Sequence, residues 1–146
     1  MANPQIPQGT LNRLRGAVIW TSFPALNVTA PFLGREGISL GFEGNMTDYV
    51  DTLTGAVTSP TPYVAARLTL NLLKTQGLSD AYKQQMETST LLGEGQVRPD
   101  TTTLGPYTIT NCGIEGLDEL RLNGEVAGFV VRVRGYYVVN NQLWSL

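Results

Sequence analysis

The most regular alternation of apolar and polar residues in this chain runs from Pro62 to Leu73. Every second residue is aliphatic: Val64, Ala66, Leu68, Leu70 and Leu72. The residues between them are Tyr63, Ala65, Arg67, Thr69 and Asn71. A two-residue period predicts a β-strand with one buried face and one solvated face. A helix is the weaker interpretation, because it would mix the polar residues and the leucines on neighbouring stripes.

A helix is predicted over residues 78–89, directly after a turn at residues 74–77. Ser79 is the expected N-cap, since its hydroxyl can accept a hydrogen bond from the free amides of the first turn. Asp80 lies where the helix dipole favours an anion. An apolar stripe with a four-residue spacing follows, made of Leu78, Tyr82 and Met86. This stripe must pack against another part of the protein.

Other runs rich in β-forming residues predict further strands. They lie at Gly16–Ser22, Leu26–Phe32, Gly37–Phe42, Tyr107–Cys112 and Val126–Asn140, with one more near Val97 in the polar connection Leu91–Thr103. Residues 114–124 have the character of a loop, and Gly135 predicts a bend or bulge in the final strand. In that strand one face holds Val130, Arg132, Arg134, Tyr136 and Val138.

About six strands and one helix predict a mainly β fold, a β-sandwich or barrel of antiparallel sheets with one flanking α-helix. With 146 residues, the chain is expected to form a single domain over residues 1–146. The proline-rich residues 1–13 are expected to form an extended N-terminal arm, either disordered or docked on a neighbour.

Residues 43–61 form a long loop or loose hairpin with an unusual number of apolar side chains. These are Met46, Tyr49, Val50, Leu53 and Val57. Side chains of this kind need a surface that buries them. Two alternatives follow: the segment folds back on its own domain, or it docks on another subunit.

Composition adds one indication of protein contacts. Only 15% of the residues are charged, compared with roughly 25% in typical soluble domains. Interface cores are depleted in charge, although a β-rich chain with many Thr, Asn and Gly residues also fits this composition. The net charge of −2 does not favour tight nucleic-acid binding.

The residues that usually carry chemistry are scarce. The chain has no histidine and a single cysteine, Cys112, so it lacks a Cys–His pair and the usual ligands of zinc. Asp118 and Glu119 lie in a glycine-flanked loop, and the glycine-rich run Gly34–Gly44 lacks the lysine of a phosphate-binding loop. We therefore expect neither an enzyme nor a cofactor or metal. No apolar stretch is long enough to span a membrane, and the first ten residues lack the apolar segment of a signal peptide.

Between Leu14 and Asn140 the order and spacing of several motifs resemble the tail tube proteins of contractile-tailed bacteriophages. The specific part combines TSPTPYV, LLKTQ, the Tyr82–Lys83 pair in the helix and the terminal GFVVRVRGYY. None of these motifs is catalytic, and each is weak alone.

The resemblance implies that hexameric rings join their inner sheets into one tube-lining barrel. Rings stack inside a contractile sheath, and DNA passes through the lumen without sequence-specific binding. It also implies a place in the virion tail after synthesis in the host cytoplasm, with sheath, baseplate and tape measure proteins as partners besides the chain itself. On this view the lumen-facing residues are Tyr63, Ala65, Arg67, Thr69 and Asn71. The inter-ring contacts are Met46, Tyr49, Val50, Leu53 and Val57, and the helix with Leu78, Tyr82 and Met86 lies near the neighbouring subunit.

Three alternatives stay open. A tube protein of a type VI secretion system or of an R-type bacteriocin would share the fold. A tube-initiator or baseplate protein would have the same domain without stacking upon itself. A monomeric carbohydrate- or protein-binding β-sandwich would present exposed aromatic residues, for which Tyr136, Tyr137 and Trp144 are candidates.

Overall fold

The computed structural model describes residues 5–143. This part of the chain contains eight strands: β1 (Ala17–Trp20), β2 (Leu33–Glu43), β3 (Thr47–Asp51), β4 (Ala56–Pro60), β5 (Tyr63–Leu73), β6 (Leu91–Arg98), β7 (Tyr107–Leu117) and β8 (Gly128–Val138). One α-helix, α1, spans Gly77–Thr88, and two short 3₁₀ turns span Pro24–Leu26 and Ala30–Phe32. The fold is therefore mainly β with one helix, as the sequence predicts.

Six of the strands form one curled antiparallel sheet in the order β1-β6-β7-β8-β5-β2. Among residues 5–143, strands β3 and β4 pair only with each other. The alternating stretch forms β5, an interior strand that pairs with β2 on one side and β8 on the other. Its five aliphatic residues from Val64 to Leu72 are buried, as the two-residue period predicts.

The concave side of the sheet encloses the core together with α1 and the first 3₁₀ turn. At its centre, the indole Nε1 of Trp20 donates to the hydroxyl of Tyr82 at 2.9 Å. That hydroxyl in turn donates to the carbonyl of Leu26 at 2.7 Å, so both buried polar groups are satisfied. Trp20 lies directly over β6, where a Cβ on Gly95 would come within 2.5 Å of its ring. Glycine at position 95 is what allows the indole to enter the core.

The helix appears where the sequence predicts it, but its N-cap is different. The N-cap residue is Gln76, and the helix begins at Gly77. The hydroxyl of Ser79 instead donates to the carbonyl of Leu73 at 2.7 Å, which ties the first helical turn to the end of β5. The prediction of Ser79 as N-cap is therefore wrong, whereas Asp80 does lie in the first turn. This position for Ser79 follows from tertiary packing that a local sequence pattern does not contain.

Strand β7 extends beyond its predicted end at Cys112 as far as Leu117, so the loop predicted from residue 114 is wrong over its first four residues. Glycines that indicated a loop instead lie at irregular points of the ladder, where the register shifts between Thr110 and Gly113 and again before Gly116. Asn111 adopts a positive φ of 52° in the first irregularity. Such bulges leave a strand continuous while breaking its two-residue period.

The bulge predicted at Gly135 lies on the neighbouring strand. The β5–β8 ladder passes through Gly135 without a register shift. A Cβ at this position would come within 2.5 Å of the Ile109 side chain and 2.9 Å of the Thr110 carbonyl. Gly135 therefore makes room for the β7 irregularity rather than bending β8 itself.

A fourth difference concerns residues 26–32, which the sequence predicts as a strand. Pro24 and Pro31 each lie in a 3₁₀ turn, because proline fixes φ and has no amide to donate to a ladder. Only Val28 keeps a β-type contact, exchanging both backbone hydrogen bonds with Val18 at 2.8 and 3.0 Å. Conversely, the strand predicted near Val97 is confirmed and is longer than expected, spanning all of β6.

Candidate assembly interface

The outward face of β5 carries the residues assigned above to a lumen. Tyr63 and Arg67 are exposed, while Ala65, Thr69 and Asn71 are half-buried. The register places Arg134 of β8 opposite Arg67 and Arg132 opposite Thr69. The two long strands therefore share one outward face with three arginines at its centre, which we call the arginine face. The sequence gives the alternation within each strand, but only the register shows that both arginines of β8 share a side with Arg67.

Two of these arginines have acidic partners at the margins of the face. The Nε of Arg67 lies 2.6 Å from a carboxylate oxygen of Glu43, and the Nε of Arg132 lies 3.0 Å from one of Asp118. Within residues 5–143, Arg134 has no ion pair within 4.0 Å. These side chains are roughly half exposed, so the pairs contribute little to stability. Their main effect is to neutralise part of the positive charge on the face.

One end of the arginine face is aromatic. The rings of Tyr63 and Tyr136 meet edge to face, with centroids 5.0 Å apart. Tyr137 points to the opposite side of β8 and packs with Phe42 and Tyr107 at one end of the core. A carbohydrate-binding sandwich is expected to present its aromatic residues on one face. Tyr136 and Tyr137 lie on opposite sides of β8 and therefore do not form such a platform. Trp144, the third aromatic candidate for that function, lies outside the described residues.

Residues 43–61 form a two-stranded hairpin that prolongs the β2–β5 ladder beyond the sheet. The last β2–β5 pair is Glu43 with Ala65, and the first β3–β4 pair is Thr47 with Pro60. Between them, the amide of Thr61 donates to the carbonyl of Met46 at 3.0 Å. We call residues 47–60 the hairpin. The bond between the two ladders makes it a continuation of the sheet edge rather than a loose loop.

No described part of the chain covers the hairpin. Its exposed side chains include Tyr49, Val50 and Val57, and Leu53 at the tip is fully exposed. Met46, just before the hairpin, is exposed as well. Val50 and Val57 are directly paired and share one side of the ribbon, while Tyr49 pairs with Thr58 on the other side. The apolar side chains of the hairpin thus lie on both sides of the ribbon and at its tip instead of forming one stripe. Of the two alternatives for this segment, folding back on its own core is wrong.

The base of the hairpin is held firmly. The side-chain amide of Asn140 donates to the Thr61 carbonyl at 2.9 Å and to the Met46 carbonyl at 3.3 Å. Asn140 has a positive φ of 54°, a conformation that asparagine tolerates better than most residues. At the tip, the amide and hydroxyl of Thr52 both donate to the Gly55 carbonyl, at 2.7 and 3.0 Å. An ordered ribbon loses less conformational entropy on docking than a flexible loop of the same length.

The two outer strands of the six-stranded sheet, β1 and β2, differ in whether their outer side is hydrogen-bonded. The outer side of β1 is covered, because Val28 pairs with Val18 and the Asn27 side chain accepts from the Trp20 amide at 2.8 Å. The outer side of β2 has no strand beside it within residues 5–143. An edge strand of 11 residues without a paired neighbour is a template for pairing with another chain.

The described part of the predicted arm, residues 5–13, contains no helix or strand and is exposed, while its first four residues lie outside the described range. Its apolar side chains Ile6 and Leu11 are 76% and 70% exposed. The arm is attached near its end by the Asn12 amide, which donates to the Asp100 carbonyl at 3.0 Å.

The apolar residues of α1 do not form the predicted contact with a neighbouring subunit. Leu78 and Tyr82 are buried in the core of their own chain, and Met86 is partly buried against it. They therefore cannot present an apolar stripe to a neighbouring subunit. The exposed side of α1 is polar and includes Lys83 and Gln84.

The titratable groups of the interior have a structural role. Burial raises the pKa of the Tyr82 phenol well above its usual range, although its hydrogen bond with Trp20 opposes this. Burial likewise raises the pKa of the Cys112 thiol to about 12, so the thiol stays protonated and unreactive near neutral pH. Among residues 5–143, no group of three or more acidic or cysteine side chains is placed to hold a metal ion. The helix of the described chain is too short and polar to cross a bilayer.

Comparison with known proteins identifies no family for this chain. No model of a known protein family matches this chain, and a search of curated proteins also finds no match.

Proposed function

We propose that this chain is the structural subunit of an inner tail tube. Hexameric rings stack into a hollow tube inside a contractile sheath, in the tail of a virion, and DNA passes through it during ejection. The observation that carries the proposal is the combination of an open β2 edge with an ordered, exposed apolar hairpin on one chain. Both features are liabilities in a monomer and are removed when copies pair.

The arginine face suits the lumen of such a tube. When neighbouring sheets join edge to edge into a large barrel, alternate residues face the channel and the others face the protein interior. In β5 the interior set is aliphatic, and the opposite set is polar and partly exposed. Phosphate contacts by Lys and Arg dominate the affinity of proteins for DNA. Pairing Arg67 with Glu43 and Arg132 with Asp118 weakens such contacts, which favours passage over retention.

This function needs no catalytic group, cofactor or metal from the chain. Its partners are other copies of itself, together with the sheath, baseplate and tape measure proteins that a contractile tail contains. A tube of a type VI secretion system or R-type bacteriocin is the alternative with the same architecture. A tube-initiator or baseplate protein is the alternative that closes into a ring without stacking.

Electron microscopy and sedimentation of the purified full-length chain test the proposal. Over increasing protein concentration, we expect rings and then long hollow filaments of uniform width. Single rings that never stack would favour the initiator or baseplate alternative. A monomer at every concentration, with no tubes visible, would contradict the proposal. Mass spectrometry of purified tailed virions then separates a phage tail from the two related tube systems.

A further inference from the structure

A groove lies beside the open edge of the sheet, between β2 and the end of β6. Its volume is about 660 Å³, within the range of sites that bind ligands or side chains. The apolar part of its lining includes Leu33, Ile38, Leu40, Val97, Leu104 and Tyr107. A register shift in β2 between Leu33 and Ile38, with Gly37 at a positive φ of 68°, contributes to this wall.

The rim of the groove is more positive than the rest of the chain. Three arginines, Arg13, Arg35 and Arg98, contribute to the lining together with two acidic residues, Glu36 and Asp100. The local balance of three cations and two anions is +1, whereas the whole chain carries −2. None of the three arginines forms a salt bridge within residues 5–143. Their charges are thus available to an incoming segment.

The hairpin has the complementary character. Residues 47–60 contain two acidic residues, Asp48 and Asp51, and no lysine or arginine, so their net charge is −2. Neither aspartate forms a salt bridge in the described chain. The hairpin also carries the fully exposed Leu53 at its tip. An acidic ribbon with an apolar tip matches a groove with an apolar floor and a cationic rim.

The hairpin and the groove lie at different ends of β2. The groove is lined by the first part of the strand, Leu33 to Leu40, and the hairpin continues from its last residue, Glu43. Leu53 is 13 residues beyond Leu40 in the sequence, which corresponds to roughly 40 Å of extended strand at about 3.3 Å per residue. A donor at one end and an acceptor towards the other form a heterologous, head-to-tail contact. Contacts of this kind produce open filaments when they do not close into a ring.

We propose that the groove between β2 and β6 accepts the hairpin of a second copy of this chain. This inference rests on the proposed function and adds the acceptor surface through which one ring holds the next. Leu53 enters the apolar floor, and the aspartates of the hairpin lie against the arginines of the rim. The contact repeats around each ring, so a modest attraction at each copy becomes strong in the assembled tube.

Charge exchange between the two surfaces tests the pairing. The variant Arg35→Glu with Arg98→Glu should raise the concentration needed for tube formation at least tenfold, and Asp48→Arg with Asp51→Arg should do the same. An equimolar mixture of the two variants should then form tubes, since each repels itself and attracts the other. Lys83→Glu, on the exposed side of α1, is the control and should assemble as the unchanged chain does. Tubes formed equally well by all variants would overturn the inference.

Cross-linking locates the contact directly. Leu53→Cys combined with Leu104→Cys places one thiol at the hairpin tip and one in the groove, and the buried Cys112 gives little background. A short bismaleimide should link copies into a ladder of dimers and higher multimers on a denaturing gel. The control pairs Leu53→Cys with Gln84→Cys on α1, and should give no ladder.

The outcomes separate this inference from the function on which it rests. Tubes that cross-link through position 104 and not position 84 support both. Tubes that give no ladder through position 104 overturn the groove as acceptor and leave the tube function standing. A full-length chain that forms no assembly and no cross-link overturns both.

Discussion

At the scale of single residues, neighbouring positions of β5 have opposite environments. Leu70 is 0% exposed, within the core. Thr69 is half-buried on the arginine face, where its paired residues are Arg132 of β8 and Ser39 of β2. A one-residue slip would exchange the two environments along the whole strand. The register of β5 therefore decides which side chains belong to the core and which belong to the arginine face.

Replacing each of these two residues with aspartate is the corresponding prediction. Leu70→Asp should prevent folding or cost several kcal/mol, because it buries a charge without a partner. Thr69→Asp should change the free energy of unfolding by less than about 1 kcal/mol, since its carboxylate lies across from Arg132. Urea denaturation of both variants measures the difference. The reverse order of stabilities would show that the strand is out of register by one residue.

Cys112 gives a second prediction at this scale. Its thiol pKa rises from 9.0 to about 12 on burial, so the folded state favours the protonated form. The stability that this preference contributes is complete below pH 9 and is lost as the pH rises from 9 towards 12. The Cys112→Ser variant should therefore lose less stability than the unchanged chain as the pH rises from 9 towards 12. A thiol-specific reagent at pH 8 should react slowly with the folded chain and rapidly in denaturant. Fast reaction in the folded state would contradict the burial of the thiol.

At the scale of elements, the hairpin shows what the sequence predicts and what it leaves open. Five apolar residues within residues 43–61 already indicate a segment that needs a partner, but the alternation is too weak to define its two strands. Pairing of β3 with β4, and their continuity with the β2–β5 ladder, depend on long-range geometry. The same limit applies to β7, whose glycines lie at bulges and have the sequence character of a loop.

Other parts of the fold were predictable because one strong pattern determines them. The long alternation of β5 and the four-residue spacing of α1 are local signals, and both elements form where the sequence places them. The sequence predicts the apolar stripe of α1 but not its partner: Leu78 and Tyr82 pack in the core of their own chain, where Tyr82 is hydrogen-bonded to Trp20 and Leu26. The pattern shows that a face is buried without showing which surface buries it.

Removal of the hairpin is the prediction for this scale. Deleting residues 47–60 and joining Met46 to Thr61 through an Asn-Gly turn keeps the hydrogen-bonded pair that closes the β2–β5 ladder. The free energy of unfolding of the shortened chain should lie within about 1 kcal/mol of that of the full chain, because the removed side chains are exposed. It should close into rings but form no tubes. Thermal unfolding measures the first expectation and electron microscopy the second.

The outcomes of this deletion are distinct. A shortened chain that does not fold would show that the hairpin stabilises the domain itself. Normal tubes from a folded, shortened chain would show that stacking depends on another surface, such as the exposed arm. A full-length variant with Leu53→Ser serves as the milder control, and should weaken stacking without altering the stability of the monomer.

At the scale of the whole molecule, three surfaces of the described chain have the character of protein interfaces but lack a partner within the chain. Within residues 5–143 the outer side of β2 has no paired strand, and the hairpin is exposed on both sides. The arginine face presents three arginines where the opposite side of the same strands is a core. Each is explained if copies join edge to edge around a channel and end to end along it. Burying each large apolar side chain of the hairpin would contribute roughly 1.5–3 kcal/mol before the cost of association. Six copies per ring would multiply that gain at every stacking step.

A cryo-electron microscopy reconstruction of the assembled protein tests this account most directly. We expect a hollow tube with sixfold rotational symmetry in which β2 pairs with a strand of the adjacent copy. The arginine face, with Arg67, Arg132 and Arg134, should line the channel, and the hairpin should cross from one ring to the next. A tube with this face on its outer surface, or an assembly in which β2 remains unpaired, would contradict the account.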